Sequence, residues 1–169
     1  MRIHLSADHA GFQLAQNLLV ELRRLGHDVN YYGAPEFDDG DDYPKFTVAA
    51  GQAVIADEDL GRTSLGIIVG ATGVGEQITA NKVKGIRAVV GWDAASLKEA
   101  RNHNDANVLT LGARTKTVTD ALSLTEVFLA EKFEFGEADV RRILHTAEFE
   151  NSGTIEGWMI DASAESTPA

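Results

Sequence analysis

Leu65–Gly70 reads LGIIVG and runs directly into Ala71–Gln77, ATGVGEQ. A continuous apolar run of this kind is what a strand buried on both faces needs. A glycine-rich turn and a helical pattern over 75–83 follow it, completing a strand–loop–helix unit. The same rhythm extends outward in both directions. Upstream, Ile3 and Leu5 begin a short strand. Phe12, Ala15, Leu18, Leu19, Leu22 and Leu25 then recur at helical spacing until Gly26 stops them, and Asp28–Tyr32 reads as a second strand. Downstream, Ile86–Gly91 (IRAVVG) and Val108–Gly112 (VLTLG) are further apolar runs. Helical patterns lie around 45–56, 94–103, 118–131 and 137–149. Such alternation predicts an α/β fold, a three-layer α/β/α sandwich around a five-stranded parallel sheet, Rossmann-like, with right-handed crossovers. The order of the strands is not contained in the pattern.

Composition narrows the functional classes. The chain has 169 residues, 44% hydrophobic and 24% charged, which suits a globular domain and not a disordered chain. Cysteine is absent, so disulfides, thiolate metal sites and a cysteine nucleophile are excluded. The net charge of −11 opposes nucleic acid and anionic membrane surfaces as partners. No segment reaches the roughly 18 apolar residues of a membrane span, and MRIHLSADHAG lacks the apolar core of a signal peptide. A cytoplasmic protein is expected. Residues 1–150 are expected to form the functional domain. The polar stretch 151–169 reads as a tail, mobile or docked on a partner subunit through Trp158, Met159 and Ile160. The acidic segment Pro35–Asp42 (PEFDDGDD) reads as a solvated turn.

Ligands of open α/β sheets bind at the carboxyl ends of the strands, so the residues after each strand carry the candidates. Asp8 and His9 follow the first. They offer a pair for proton transfer, or Asp8 serves only to cap the next helix. Thr72, Gly73, Val74, Gly75 and Glu76 follow the LGIIVG strand. The glycines let backbone N–H groups approach an anion, and Glu76 is either a general base or a carboxylate favoured by the helix dipole. Neither a dinucleotide fingerprint (Ile78 stands at the third glycine position) nor a Walker loop is present. His103 and Asn104 end a helical pattern, Asn107 precedes the last strand, and Arg114 follows it as a candidate anion clamp. Arg142 lies on the final helical pattern, where a solvated face is the ordinary reading. The histidines show no metal-ligand spacing.

Five separated motifs then combine. Ser6–Gly11 (SADHAG), Asp42-Tyr43-Pro44, Thr72–Gly75, Ala80–Val83 with Gly85–Ala88, and His103–Asn107 with Leu111–Arg114 occur in this order. Together they resemble the ribose-5-phosphate isomerase B and galactose-6-phosphate isomerase family over residues 1 to about 149. The resemblance implies aldose–ketose isomerisation of a sugar phosphate through a cis-enediolate, with no metal and no cofactor. It also implies a homodimer or homotetramer with active sites at the subunit interface. Many members place a cysteine base at the end of the third strand, where this chain has Gly70. Glu76 instead matches a glutamate-base, actinobacterial-type branch. By the same resemblance, His103 and Asp8 serve ring opening, and Thr72 with the Gly73–Gly75 amides serves the enediolate oxygen. His9, Arg114 and Arg142 hold the phosphate, while Tyr43, Asn104 and Asn107 line the pocket. Ala138 departs from the family, which usually carries a second phosphate-binding arginine there. Ribose 5-phosphate is the leading substrate. The same chemistry on allose 6-phosphate, galactose 6-phosphate, a tetrose phosphate or a free sugar is the alternative, and a non-catalytic phospholigand-binding module the remote one.

Overall fold

The computed structural model describes residues 1–156 and the backbone of Trp158 and Met159. Five strands form one parallel sheet: β1 (Arg2–Ala7), β2 (Asp28–Tyr31), β3 (Ser64–Gly70), β4 (Ala88–Val90) and β5 (Val108–Gly112). Their order is β2-β1-β3-β5-β4. Helices α1 (Phe12–Arg24), α2 (Tyr43–Asp59), α3 (Val74–Ala80), α4 (Ala94–Asn104) and α5 (Val118–Ala130) connect and follow them.

The period-two alternation of the strands sorts the helices into two outer layers. Ile3, Leu5 and Ala7 of β1, with Leu65, Ile67 and Val69 of β3, face a core built with α1, α4 and α5. Ile68 and Val108 face the opposite way, onto Ala50 and Val54 of α2 and Ala80 of α3. Every residue of β3 is buried, as the central strand of a sheet covered on both faces requires. The three-layer sandwich is therefore present as expected.

Local chemistry sets the boundaries. In α1, Leu14, Ala15, Leu18 and Leu22 are the buried stripe, and Gly26 (φ 87) turns the chain out of the helix. Helix α2 starts earlier than the expected 45, because Tyr43-Pro44 supplies a proline in its first turn. Capping boxes open α4 (Asp93 with Ser96) and α5 (Thr117 with Asp120).

The described chain forms two compact units, Met1–Glu134 and a second beginning at Phe135. The second holds α6 (Glu137–Ser152) and an antiparallel hairpin of β6 (Thr154–Ile155) and β7 (Trp158–Met159). The stretch read as a polar tail from 151 thus opens with the last turn of a helix and a hairpin. Gly153 (φ 73) closes α6 in the left-handed conformation. Ile160 and residues 161–169, part of that tail reading, lie outside the described residues.

Candidate active site

The strand order creates the crevice. β1 leads to β2 on one side, and the chain then crosses to β3 on the other, so the direction of winding reverses between β1 and β3. Ligands of such sheets bind outside the carboxyl ends at this reversal. Ala7 pairs with Val69 and Gly70 with Gly112, so the chain leaves the sheet at Asp8, Gly70 and Gly112 side by side. Gly11 has to be glycine here. A Cβ on it would overlap the carbonyl of Val69, since the turn after β1 crosses the end of β3.

Glu76 occupies the centre of this crevice. Gly73 (φ 81) turns the chain from β3 into α3, which puts Glu76 in the first helical turn. Its side chain folds back over the sheet: a Cβ added at Gly70 would collide with Oε1. The carboxylate therefore fills the volume that a side chain at the end of β3 would take. Glu76 is only 4% exposed. Burial pushes its pKa up and the charge of Asp8 adds to that, while the amides of Glu76 and Gly73 partly oppose them, leaving a net rise. A buried carboxyl group with a raised pKa at the carboxyl ends of the strands suits general-base work.

The surrounding groups come from four segments. Asp8 is buried and its Oδ1 accepts from the Gly11 N–H at 3.0 Å, which ties the turn ahead of α1, whose N-cap is Gly11, while its charge also acts on Glu76. Tyr43 packs on the glycine loop: a Cβ at Gly75 would stand 2.8 Å from Tyr43 Cζ. Thr72 is exposed and its Oγ1 accepts from the Val74 N–H at 3.4 Å. Arg114, exposed beyond β5, is tied to the loop by its N–H to the Ala71 carbonyl at 3.0 Å. Its guanidinium forms no ion pair among the described residues.

His9 has a partner that the sequence reading missed. Its Nδ1 lies 2.9 Å from Asp41 Oδ1, and its backbone N–H donates to the same oxygen at 2.8 Å. Asp41 belongs to the acidic segment expected to be a solvated turn. Glu36–Gly40 are indeed exposed, but the Asp41 side chain is 1% exposed. A charge run gives no sign of which member turns inward. The hydrogen bond to Asp41 holds the His9 pKa above its ordinary value, against a smaller opposing effect of burial, and Asp8 adds to the rise. Asp8, His9 and Asp41 each offer one ligand atom within 4.8 Å of the others, a spacing that admits a cation. With His9 Nδ1 already bonded to Asp41, the grouping reads as an ion pair.

Three other sequence candidates lie elsewhere in the unit. In a parallel sheet, α4 runs back from the carboxyl end of β4 to the amino end of β5. His103 and Asn104, in its last turn, therefore sit at the opposite edge of the sheet from Glu76. His103 Nε2 is 3.5 Å from Glu99 Oε2 there. Asn107 is a stitch between strand starts. Its Oδ1 accepts from the Arg87 N–H at 2.8 Å, its Nδ2 donates to the Gly85 carbonyl at 3.0 Å, and its own carbonyl accepts from the Gly66 N–H. Gly66 is four residues before Gly70, about 13 Å along β3. Arg142 lies in the second unit, on α6, with Nη1 2.8 Å from Asp139 Oδ1.

The model of the ribose/galactose isomerase family matches residues 3–145. The chain belongs to that family. A ribose-5-phosphate isomerase B of Mycolicibacterium paratuberculosis is 40% identical over 152 residues, covering 90% of this chain and 93% of its own. That of Mycobacterium tuberculosis is also 40% identical over 152 residues, covering 90% and 91%. The crystal structure of ribose-5-phosphate isomerase B from Mycoplasma genitalium with bound ribulose-5-phosphate matches with a TM-score of 0.83 and 33% identity, covering 89% of this chain and 97% of that one. In this chain, some of the motifs are architectural. Asn81 exchanges two hydrogen bonds with the backbone of Ala88, at 2.8 and 3.0 Å, fastening the end of α3 to β4.

Proposed function

We propose that the protein interconverts ribose 5-phosphate and ribulose 5-phosphate. The observation that carries this reading is the Glu76 carboxyl group, buried over Gly70 beside Asp8 at the reversal of the sheet. In the open-chain aldose, Glu76 takes the C2 proton, a cis-enediolate forms, the hydroxyl proton passes from O2 to O1, and the same carboxyl returns the carbon-bound proton to C1. One base on one face of the substrate suffices for this transfer. The developing oxyanion needs fixed donors, each worth roughly 3 kcal/mol of barrier. The Gly73–Gly75 segment and the Thr72 hydroxyl are the candidates. His9 and Arg114 are cationic candidates for the phosphate, working locally against a net charge of −11. No step requires a metal or a cofactor.

Ring opening calls for an acid and a base around the ring oxygen, roles for Asp8 and His103. Glu76 and His103 lie at opposite edges of one sheet, so a site containing both needs two chains. This supports a homodimer or homotetramer with active sites at the subunit interface, with Asn104 and Arg142 as further contributions across it. A charged sugar phosphate does not cross a bilayer unaided, which supports a cytoplasmic setting. Among the described residues no helix is long and apolar enough to cross a membrane.

One observation favours a second reading, the same chemistry on another sugar. Ala138 stands where the family usually has an arginine, and the neighbouring Asp139 takes up Arg142. An arginine already paired with a carboxylate binds a phosphate less well. Steady-state isomerisation, with chelator present, of ribose 5-phosphate, allose 6-phosphate, erythrose 4-phosphate and free ribose separates the two. The first reading expects the highest kcat/KM on ribose 5-phosphate. A higher value on another sugar replaces the substrate and keeps the mechanism, and absence of turnover on all four overturns both readings.

A further inference from the structure

The buried carboxylate of Asp41 has a narrow set of partners. Its Oδ1 receives the His9 backbone N–H and the His9 ring, while Oδ2 has no hydrogen-bond partner among the described residues. A carboxylate this deeply buried is tolerated when a positive group stands against it, and the ring of His9 is the cation within reach. The ring geometry is equally constrained. Nδ1 faces two acceptors, Asp41 Oδ1 at 2.9 Å and the Asp41 carbonyl at 3.1 Å. Neither can donate a hydrogen bond when the carboxyl is ionised, so Nδ1 carries the proton and Nε2 is the nitrogen left for a ligand.

We propose that Asp41 is a positioning residue: it fixes the His9 ring and keeps it an imidazolium, so that Nε2–H meets the substrate phosphate as a charge-assisted donor. The inference rests on the proposed function in taking His9 as a phosphate contact. The ionisable groups that act on His9 are Asp41, from the segment leading into α2, and Asp8, on its own turn. Both are acidic, so both favour the charged ring.

The test is a pH titration of the His9 ring nitrogens by NMR in the full-length 15N-labelled protein, wild type and Asp41→Asn, with the His9→Asn spectrum giving the assignment. The expected wild-type midpoint lies above the ordinary histidine value of about 6.5, with Nδ1 protonated throughout, and it falls in Asp41→Asn. A wild-type midpoint at or below that value overturns the proposal without recourse to any variant, as does an unchanged midpoint in folded Asp41→Asn. In the same preparations, KM for ribose 5-phosphate is expected to rise about tenfold at pH 8 in Asp41→Asn, with much less change at pH 6 or in kcat. An equal change at both pH values assigns Asp41 a merely structural role. If the wild type turns over no sugar phosphate, the functional reading fails, while the titration, repeated with inorganic phosphate as the probe, still decides the role of Asp41.

Discussion

Glu76, the proposed base, is a buried carboxyl group, and its environment fixes the sign of two effects. Its folded pKa lies above the ordinary 4.5. A base works only when ionised, so turnover is expected to fall as the pH drops through that raised value, with an acid limb above the usual glutamate range. A pH profile of kcat/KM checks this. Glu76→Gln is expected to lose about 10²–10⁴-fold in kcat with an unchanged circular dichroism spectrum. Stability responds in the opposite sense. A group with a raised folded pKa contributes stability that is complete below its unfolded pKa and lost as the pH rises through the folded one. Above that raised value the ionised Glu76 is therefore a burden on the fold, and there Glu76→Gln is expected to melt higher than the wild type, the difference shrinking in acid. A lower melting temperature in both ranges would show that the carboxylate is better solvated than its burial indicates. Gly70→Ala tests the same site from below. Its methyl group has no room unless Glu76 moves, so activity is expected to fall nearly as far as in Glu76→Gln, measured as kcat in protein of native spectrum.

At the scale of elements, the central strands were legible and the edges were not. LGIIVG announced β3 because a strand buried on both faces leaves no polar residue in its pattern. The edge strand β4 was expected over 86–91 and spans Ala88–Val90. Its limits come from side chains distant in sequence: the Asn107 amide takes the Arg87 N–H, and Asn81 takes both backbone groups of Ala88. Periodicity carries no trace of such stitches. Asn81→Ala leaves the Ala88 N–H without its partner and the Ala88 carbonyl with only the Gln77 amide at 3.3 Å, a loss of about 1–3 kcal/mol. Hydrogen exchange is expected to quicken first at Ala88, while β1 and β3 keep their protection. Uniform loss of protection would mean that β4 is not a separable edge. The geometry of the candidate site was legible in part. Asp8, His9, the glycine loop, Glu76 and Arg114 follow strands directly, so topology alone brings them together. Asp41 escaped, because nothing in PEFDDGDD distinguishes the one aspartate that packs beneath His9. Asn107 shows the converse: a polar residue in a family motif is as readily an architectural tie as a ligand contact, and here its side chain ties Gly85 and Arg87.

At the scale of the whole molecule, the separation of Glu76 from His103 has a consequence for assembly. Sites shared between subunits, as proposed, would let two inactive chains repair one another. Glu76→Gln and His103→Ala, each inactive alone, are expected to regain about a quarter of wild-type turnover when unfolded together and refolded as dimers. Half of such dimers are mixed, and each mixed dimer has one complete site. No recovery, with mixed dimers demonstrated by mass spectrometry, would place each site within one chain. The seat of Glu76 over Gly70 constrains in turn how this protein can change over generations. Positions 70 and 76 compete for one volume, so a reactive side chain cannot be gained at the strand end while the glutamate remains. A lineage that exchanges one base for the other must pass through a chain that is overfilled or one that has no base at all. Gly70→Cys alone and Glu76→Ala alone are both expected to be dead ends, and only their combination recovers an occupied pocket, a sign reversal that a double-mutant cycle at the two positions would read directly.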